Sequence, residues 1–163
     1  MRILIQNRQR KYPLNERKIR RWVRAILKMQ NEGDAEIGLT FVNNRAMQRY
    51  NRDYRGKNTP TDVLSFPLRN RGEKNFSPLL GDIIISLEKT YEEAQLFYHD
   101  DAEHLLFLLI HGILHLLGYD HEQSRNEALC MKRREKKIFD AVYSQPIRGF
   151  VILGGKKVPR SSP

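Results

Sequence analysis

A chain of 163 residues with 40% apolar content is long enough to bury a core, which argues for one folded domain and against a disordered chain. Its 29 Lys and Arg against 19 Asp and Glu give a net charge of +10, a balance that points to a polyanionic partner, either nucleic acid or an acidic membrane surface. The single cysteine, Cys130, excludes an internal disulfide and suits a reducing, cytoplasmic compartment, and the longest apolar run, Leu105 to Ile110, falls far short of the ~20 residues of a membrane span.

Residues 2–7 read as a short strand, too brief an apolar stretch for a signal peptide. Over residues 15–30, Ile19, Trp22, Val23, Ile26 and Leu27 recur at helical spacing and predict the buried face of an amphipathic helix. Arg17, Arg20, Arg21, Arg24 and Lys28 form a basic stripe on its other side, and the first thirty residues hold ten bases against Glu16 alone. Such a stripe is either a solvated face or a surface for RNA phosphates. Residues 36–43 alternate as a half-buried strand should. A helix from about Asn44 to Tyr54 follows, then strands at 62–67 and 81–86 separated by the polar loop Arg69 to Pro78. Helices are expected at 87–98 and 101–118, the second apolar almost all round over Leu105–Ile110 and hence central and buried. Ser124 and Glu127 form a capping box that opens the last helix, 124–143, whose apolar face carries Ala128, Met131, Ile138 and Val142. Glu135 lies on the same stripe, where a carboxylate needs a partner; an ion pair is the first expectation and a contact behind a metal ligand the second. Residues 1–145 therefore read as a single domain. Phe150–Leu153 suggests a short strand within a basic, flexible tail, 146–163.

The chemistry is concentrated at the end of the central helix, in His111-Gly112-Ile113-Leu114-His115-Leu116-Leu117-Gly118-Tyr119-Asp120-His121. Imidazoles four residues apart on a helix lie about 40° apart around its axis, so His111 and His115 can face one ion. Gly118 suits a left-handed turn that folds the chain back and brings His121 to the same point. Three neutral imidazoles leave a fourth tetrahedral position for water, the pattern of a catalytic zinc site, whereas structural sites are closed, usually with cysteines. The metzincin peptidases share this spacing but carry a glutamate after the first histidine as general base. Here that position is Gly112, which moves no proton, so peptide hydrolysis is disfavoured.

The histidine run, the segment Tyr54-Arg55-Gly56-Lys57-Asn58-Thr59-Pro60-Thr61-Asp62-Val63-Leu64-Ser65-Phe66-Pro67 and Gly81-Asp82-Ile83 together resemble the YbeY family over roughly residues 36 to 143. The resemblance implies an α+β fold: a small mixed β-sheet of about four strands flanked by helices, with the central buried helix carrying the metal site. It implies a single-strand-specific, metal-dependent endoribonuclease acting in 16S rRNA 3′-end maturation and ribosome quality control. It matches the family's zinc ligands to His111, His115 and His121, and its functionally important arginine to Arg55. The implied partners are rRNA and the small ribosomal subunit, with no membrane; the sequence leaves the oligomeric state open.

Arg55 and His115 are thus the candidate catalytic residues, with Arg55 also the candidate for binding the scissile phosphate, since a guanidinium fork matches phosphate oxygens. One Zn²⁺ per chain is expected, although imidazole ligands also suit nickel, iron and copper. The attack on phosphorus is either by water directly or by a ribose 2′-OH. Thr61, Asp62 and Asp82 either line the cleft or make strand-end hydrogen bonds. Asp120 either orients a ligand histidine or caps its turn, His104 belongs to the core or cleft lining, and His99 to the surface. Two other functions fit the same residues: a zinc hydrolase of another substrate class, drawing its base from Glu122 or Asp120, and a non-catalytic ribosome-binding factor.

Overall fold

The apolar alternation of the four strand segments builds one mixed sheet, seen in a computed structural model that describes residues 1–69 and 77–143. In chain order the elements are β1 (Arg2–Asn7), α1 (Glu16–Met29), β2 (Glu36–Val42), α2 (Asn44–Arg55), β3 (Val63–Pro67), β4 (Leu79–Ser86), α3 (Leu87–Leu96), α4 (Asp101–Leu116) and α5 (Arg125–Tyr143). The strand order is β1-β2-β4-β3, with β1, β2 and β4 parallel and β3 antiparallel to β4. This is the α+β architecture anticipated above. The expected strand at 150–153, the tail 146–163 and most of the polar loop lie outside the described residues.

Pleating sends alternate side chains to opposite faces of the sheet. Ile37, Leu39 and Phe41 of β2, with Ile83 and Ile85 of β4, enter the main core beneath α1, α4 and α5. Val42, Leu64 and Ile84 point the other way and pack on Met47 of α2. The five apolar residues read from the first helix, Ile19, Trp22, Val23, Ile26 and Leu27, are its buried residues. The basic stripe opposite them needs one correction. Arg20 turns inward, donating to the Ile3 carbonyl and pairing with Glu16 at 3.5 Å, so it ties α1 to β1 instead of standing in solvent.

α4 is central, as its composition demands: Leu105, Leu106, Leu109, Ile110, Ile113 and Leu114 are fully buried. Its first turn is capped by Asp100, whose carboxylate accepts the Ala102 and Glu103 amides. It stops at Leu116, two residues before the expected end, because Gly118 takes φ 88°. The Gly118 amide then donates to His115 O and the Tyr119 amide to Leu114 O, both at 3.0 Å, which satisfies carbonyls the helix end would leave open. β4 begins two residues earlier than expected, since Leu79 pairs with Glu36 of β2. α5 begins at Arg125, with the Ser124 hydroxyl accepting the Glu127 amide at 3.1 Å. Among the described residues no helix is long and apolar enough to cross a membrane.

Candidate metal centre

The C-terminal half of α4 and the turn after it bring His111, His115 and His121 together. One ring nitrogen from each lies within 4.8 Å of the others. The ring centroids are 4.5 Å (His111–His115), 5.4 Å (His111–His121) and 5.1 Å (His115–His121) apart. The Nε2 atoms of His111 and His115 stand 3.1 Å apart, close to the about 3.3 Å separating two nitrogens on one tetrahedral zinc with Zn–N near 2.05 Å. His111 and His115 are half-buried and His121 is exposed, so the cluster opens to solvent on the His121 side.

What the sequence left undecided is the partner of Glu135, and it is His111. The Nδ1–H of His111 donates to Glu135 Oε1 at 2.6 Å, and Glu135 is buried on α5. The two expectations for Glu135, an ion pair and a contact behind a metal ligand, thus fall on one and the same pairing. This bond fixes which nitrogen carries the proton and leaves the Nε2 lone pair facing His115, the arrangement that metal-binding histidines ordinarily need. Burial first, and then the charges of His111 and His121, hold the His115 imidazole below its ordinary pKa and favour the neutral form that ligates. Three imidazole nitrogens and a carboxylate behind one of them make a donor set that fits a divalent transition metal such as zinc.

Gly112 does more than lack a base. A Cβ there would lie 3.0 Å from Ile83 Cδ1 and 3.3 Å from Ser65 Oγ, so this position faces the sheet and lets α4 sit close upon it. Ser65 Oγ donates to the Gly112 carbonyl at 3.3 Å, holding β3 against the ligand-bearing turns.

The remaining candidates are spread more widely. Arg55, the last residue of α2, is exposed, and its side chain forms no hydrogen bond or ion pair among the described residues. Its neighbour Tyr54 packs edge-on against Phe66, ring centroids 4.9 Å apart, so the end of α2 that carries Arg55 is tied to the edge strand β3. Asp62 caps the start of β3, accepting the Val63 amide at 2.7 Å. Asp82 is exposed over Gly38, where a side chain on residue 38 would collide with its carboxylate. Asp120 accepts the Glu122 amide at 2.8 Å and so caps the turn. His104 is buried, with Nε2 2.9 Å from Glu93, and His99 is exposed, as expected of both.

Comparison with known proteins agrees with this geometry. The family model described as Endoribonuclease YbeY matches residues 4–143. A protein of that name from Syntrophus aciditrophicus is 37% identical over 149 residues, covering 90% of this chain and 93% of its own. One from Alkaliphilus oremlandii is 40% identical over 148 residues, covering 87% and 97%. Among solved structures, the solution structure of a Thermotoga maritima protein superposes with a TM-score of 0.63 at 29% identity, over 86% of this chain and 89% of that one.

Proposed function

Since the chain belongs to the YbeY endoribonuclease family, we propose that it is an endoribonuclease that cuts single-stranded RNA at a zinc ion held by His111, His115 and His121. We assign it to 16S rRNA 3′-end maturation and ribosome quality control in the cytoplasm, with rRNA and the small ribosomal subunit as partners. The observation that carries the reading is the convergence of three imidazoles with Glu135 bonded behind one of them. That is a catalytic pattern in a protein whose relatives are named as RNA-cutting enzymes.

When bound, such an ion acts as a Lewis acid toward water and phosphate oxygens. The chain's own residues supply the rest. Glu135 holds the His111 tautomer, and the half-buried setting keeps His115 neutral. Arg55, exposed beside the edge strand, clamps the scissile phosphate with a fork that stays charged at every physiological pH. Gly112 supplies no proton acceptor and faces the sheet, so the site has no counterpart of the peptidase base.

The test is cleavage of a labelled 16S rRNA 3′-end fragment by zinc-loaded wild type and Arg55→Ala, matched for metal content and folding. Wild type should cut, and the variant should cut about 100-fold more slowly, the scale of losing one charge-stabilising donor. Equal rates would remove Arg55 from the site. No cleavage by either would favour a ribosome-binding factor. Mapping the new ends separates the two routes of attack, because a 2′,3′-cyclic phosphate forms only when the 2′-OH attacks.

A further inference from the structure

α5 carries a second feature next to the metal centre. One residue before Glu135, the Arg134 guanidinium lies over the Tyr119 ring, with Cζ 5.8 Å from the centroid. Tyr119 stands in the short turn between His115 and His121. Together with Asn126, Leu129, Arg133 and Lys137 these two residues line a cavity of about 600 Å³ that also reaches Cys130. Three cations line it and no carboxylate does. Lys136, on another face of the helix, is paired with Asp140 at 2.9 Å. Arg133, Arg134 and Lys137 have no such partner among the described residues. The Nε of Arg134 is buried and finds no acceptor there, an uncommon state for a guanidinium donor.

We infer that this groove seats the phosphodiester backbone of the RNA strand flanking the bond that is cut. The inference rests on the nuclease reading above. Arg133 and Lys137 sit one helical turn apart, about 6 Å between Cβ atoms, which suits neighbouring phosphates of an extended strand. Arg134, held over the Tyr119 ring, adds a third positive charge to the groove. Cations interleaved with an aromatic ring are how single strands are held without sequence preference. Tyr119 lies in the turn between His115 and His121, and Arg134 precedes Glu135, which bonds His111, so the groove is built on the same elements that carry the histidine cluster.

Binding of a fluorescent 2′-O-methyl oligouridylate to the zinc-loaded protein, measured across a salt series, tests this. Removing two phosphate contacts in the double variant Arg133→Ala, Lys137→Ala should reduce the slope of log affinity against log salt by about 1.4, so that its deficit grows about 25-fold for each tenfold fall in salt. The pair Arg21→Ala, Arg24→Ala removes the same charge from the exposed side of α1 and should leave the slope near wild type. An unchanged slope in the α5 pair, or an equal fall in both pairs, would overturn the inference. A second readout needs no variant: bound oligouridylate should protect Cys130, exposed at the groove, from alkylation in the wild type, and absence of protection would overturn the inference too. Cleavage of ordinary RNA is scored separately. Groove-dependent binding supports the inference even if the wild type leaves that RNA uncut, an outcome that would count against the nuclease reading alone.

Discussion

At the scale of single residues, Glu135 decides how the centre is read. Its carboxylate bonds His111 Nδ1 at 2.6 Å, and such outer contacts typically contribute 10–100-fold to metal affinity. Glu135→Gln should therefore weaken zinc binding by about that range in competition with a colorimetric chelator, and unchanged affinity would reduce Glu135 to a packing residue. His115 carries a pH signature. Its imidazole is held below the ordinary value, so in the metal-free protein the unfolded chain takes up this proton more readily than the folded one. Stability from this group is thus full above about pH 6.5 and declines as pH falls toward the folded value. The urea midpoint of metal-free wild type should fall more steeply below that pH than the midpoint of His115→Ala; parallel curves would contradict the shift. The three histidines were legible in the sequence because their contact is local. Glu135 was legible only as a carboxylate on an apolar stripe, since its partner lies 24 residues away and depends on how α5 packs against α4.

At the scale of elements, two glycines shape the site. Gly118 holds φ 88°, a region in which a Cβ costs about 1–2 kcal/mol, and its turn delivers His121. Gly112 allows α4 to close on β3 and β4. Gly112→Glu should destabilise the protein by about 1–3 kcal/mol through overpacking against Ile83 and Ser65, and it should create no peptidase activity. A variant as stable as wild type, or one that cleaves casein, would show that position 112 faces the ion instead. Periodicity located all nine described elements, because the apolar faces of α1 and β2 repeat cleanly at helical and strand spacing. It missed ends that tertiary pairing sets, such as the start of β4 at Leu79 opposite Glu36. It also missed the inward turn of Arg20, since spacing places a side chain on a face but does not say what a long guanidinium can reach.

At the scale of the molecule, the sheet order β1-β2-β4-β3 and the placement of α2 and α4 on opposite faces are the features least visible in the sequence. Each depends on which strands pair across intervening helices, and hydrophobic pattern alone does not specify that. The consequence for function is that α4, α5 and the turn between them meet at one cluster, so a bound ion ties three parts of the chain together. Zinc at 100 times its dissociation constant should raise stability by about 2.7 kcal/mol, and chelation should reverse the gain. A melting temperature insensitive to zinc would mean that the cluster binds no ion in the folded state. The most direct test of the central claim is the rate of single-stranded RNA cleavage as metal-stripped protein is titrated with zinc, with His115→Ala run beside it. The expected result is a rate near background without metal that rises in proportion to occupancy and levels at one equivalent, with no rise in the variant. Full cleavage by stripped protein, or an equal rise in His115→Ala, would contradict a nuclease centred on His111, His115 and His121.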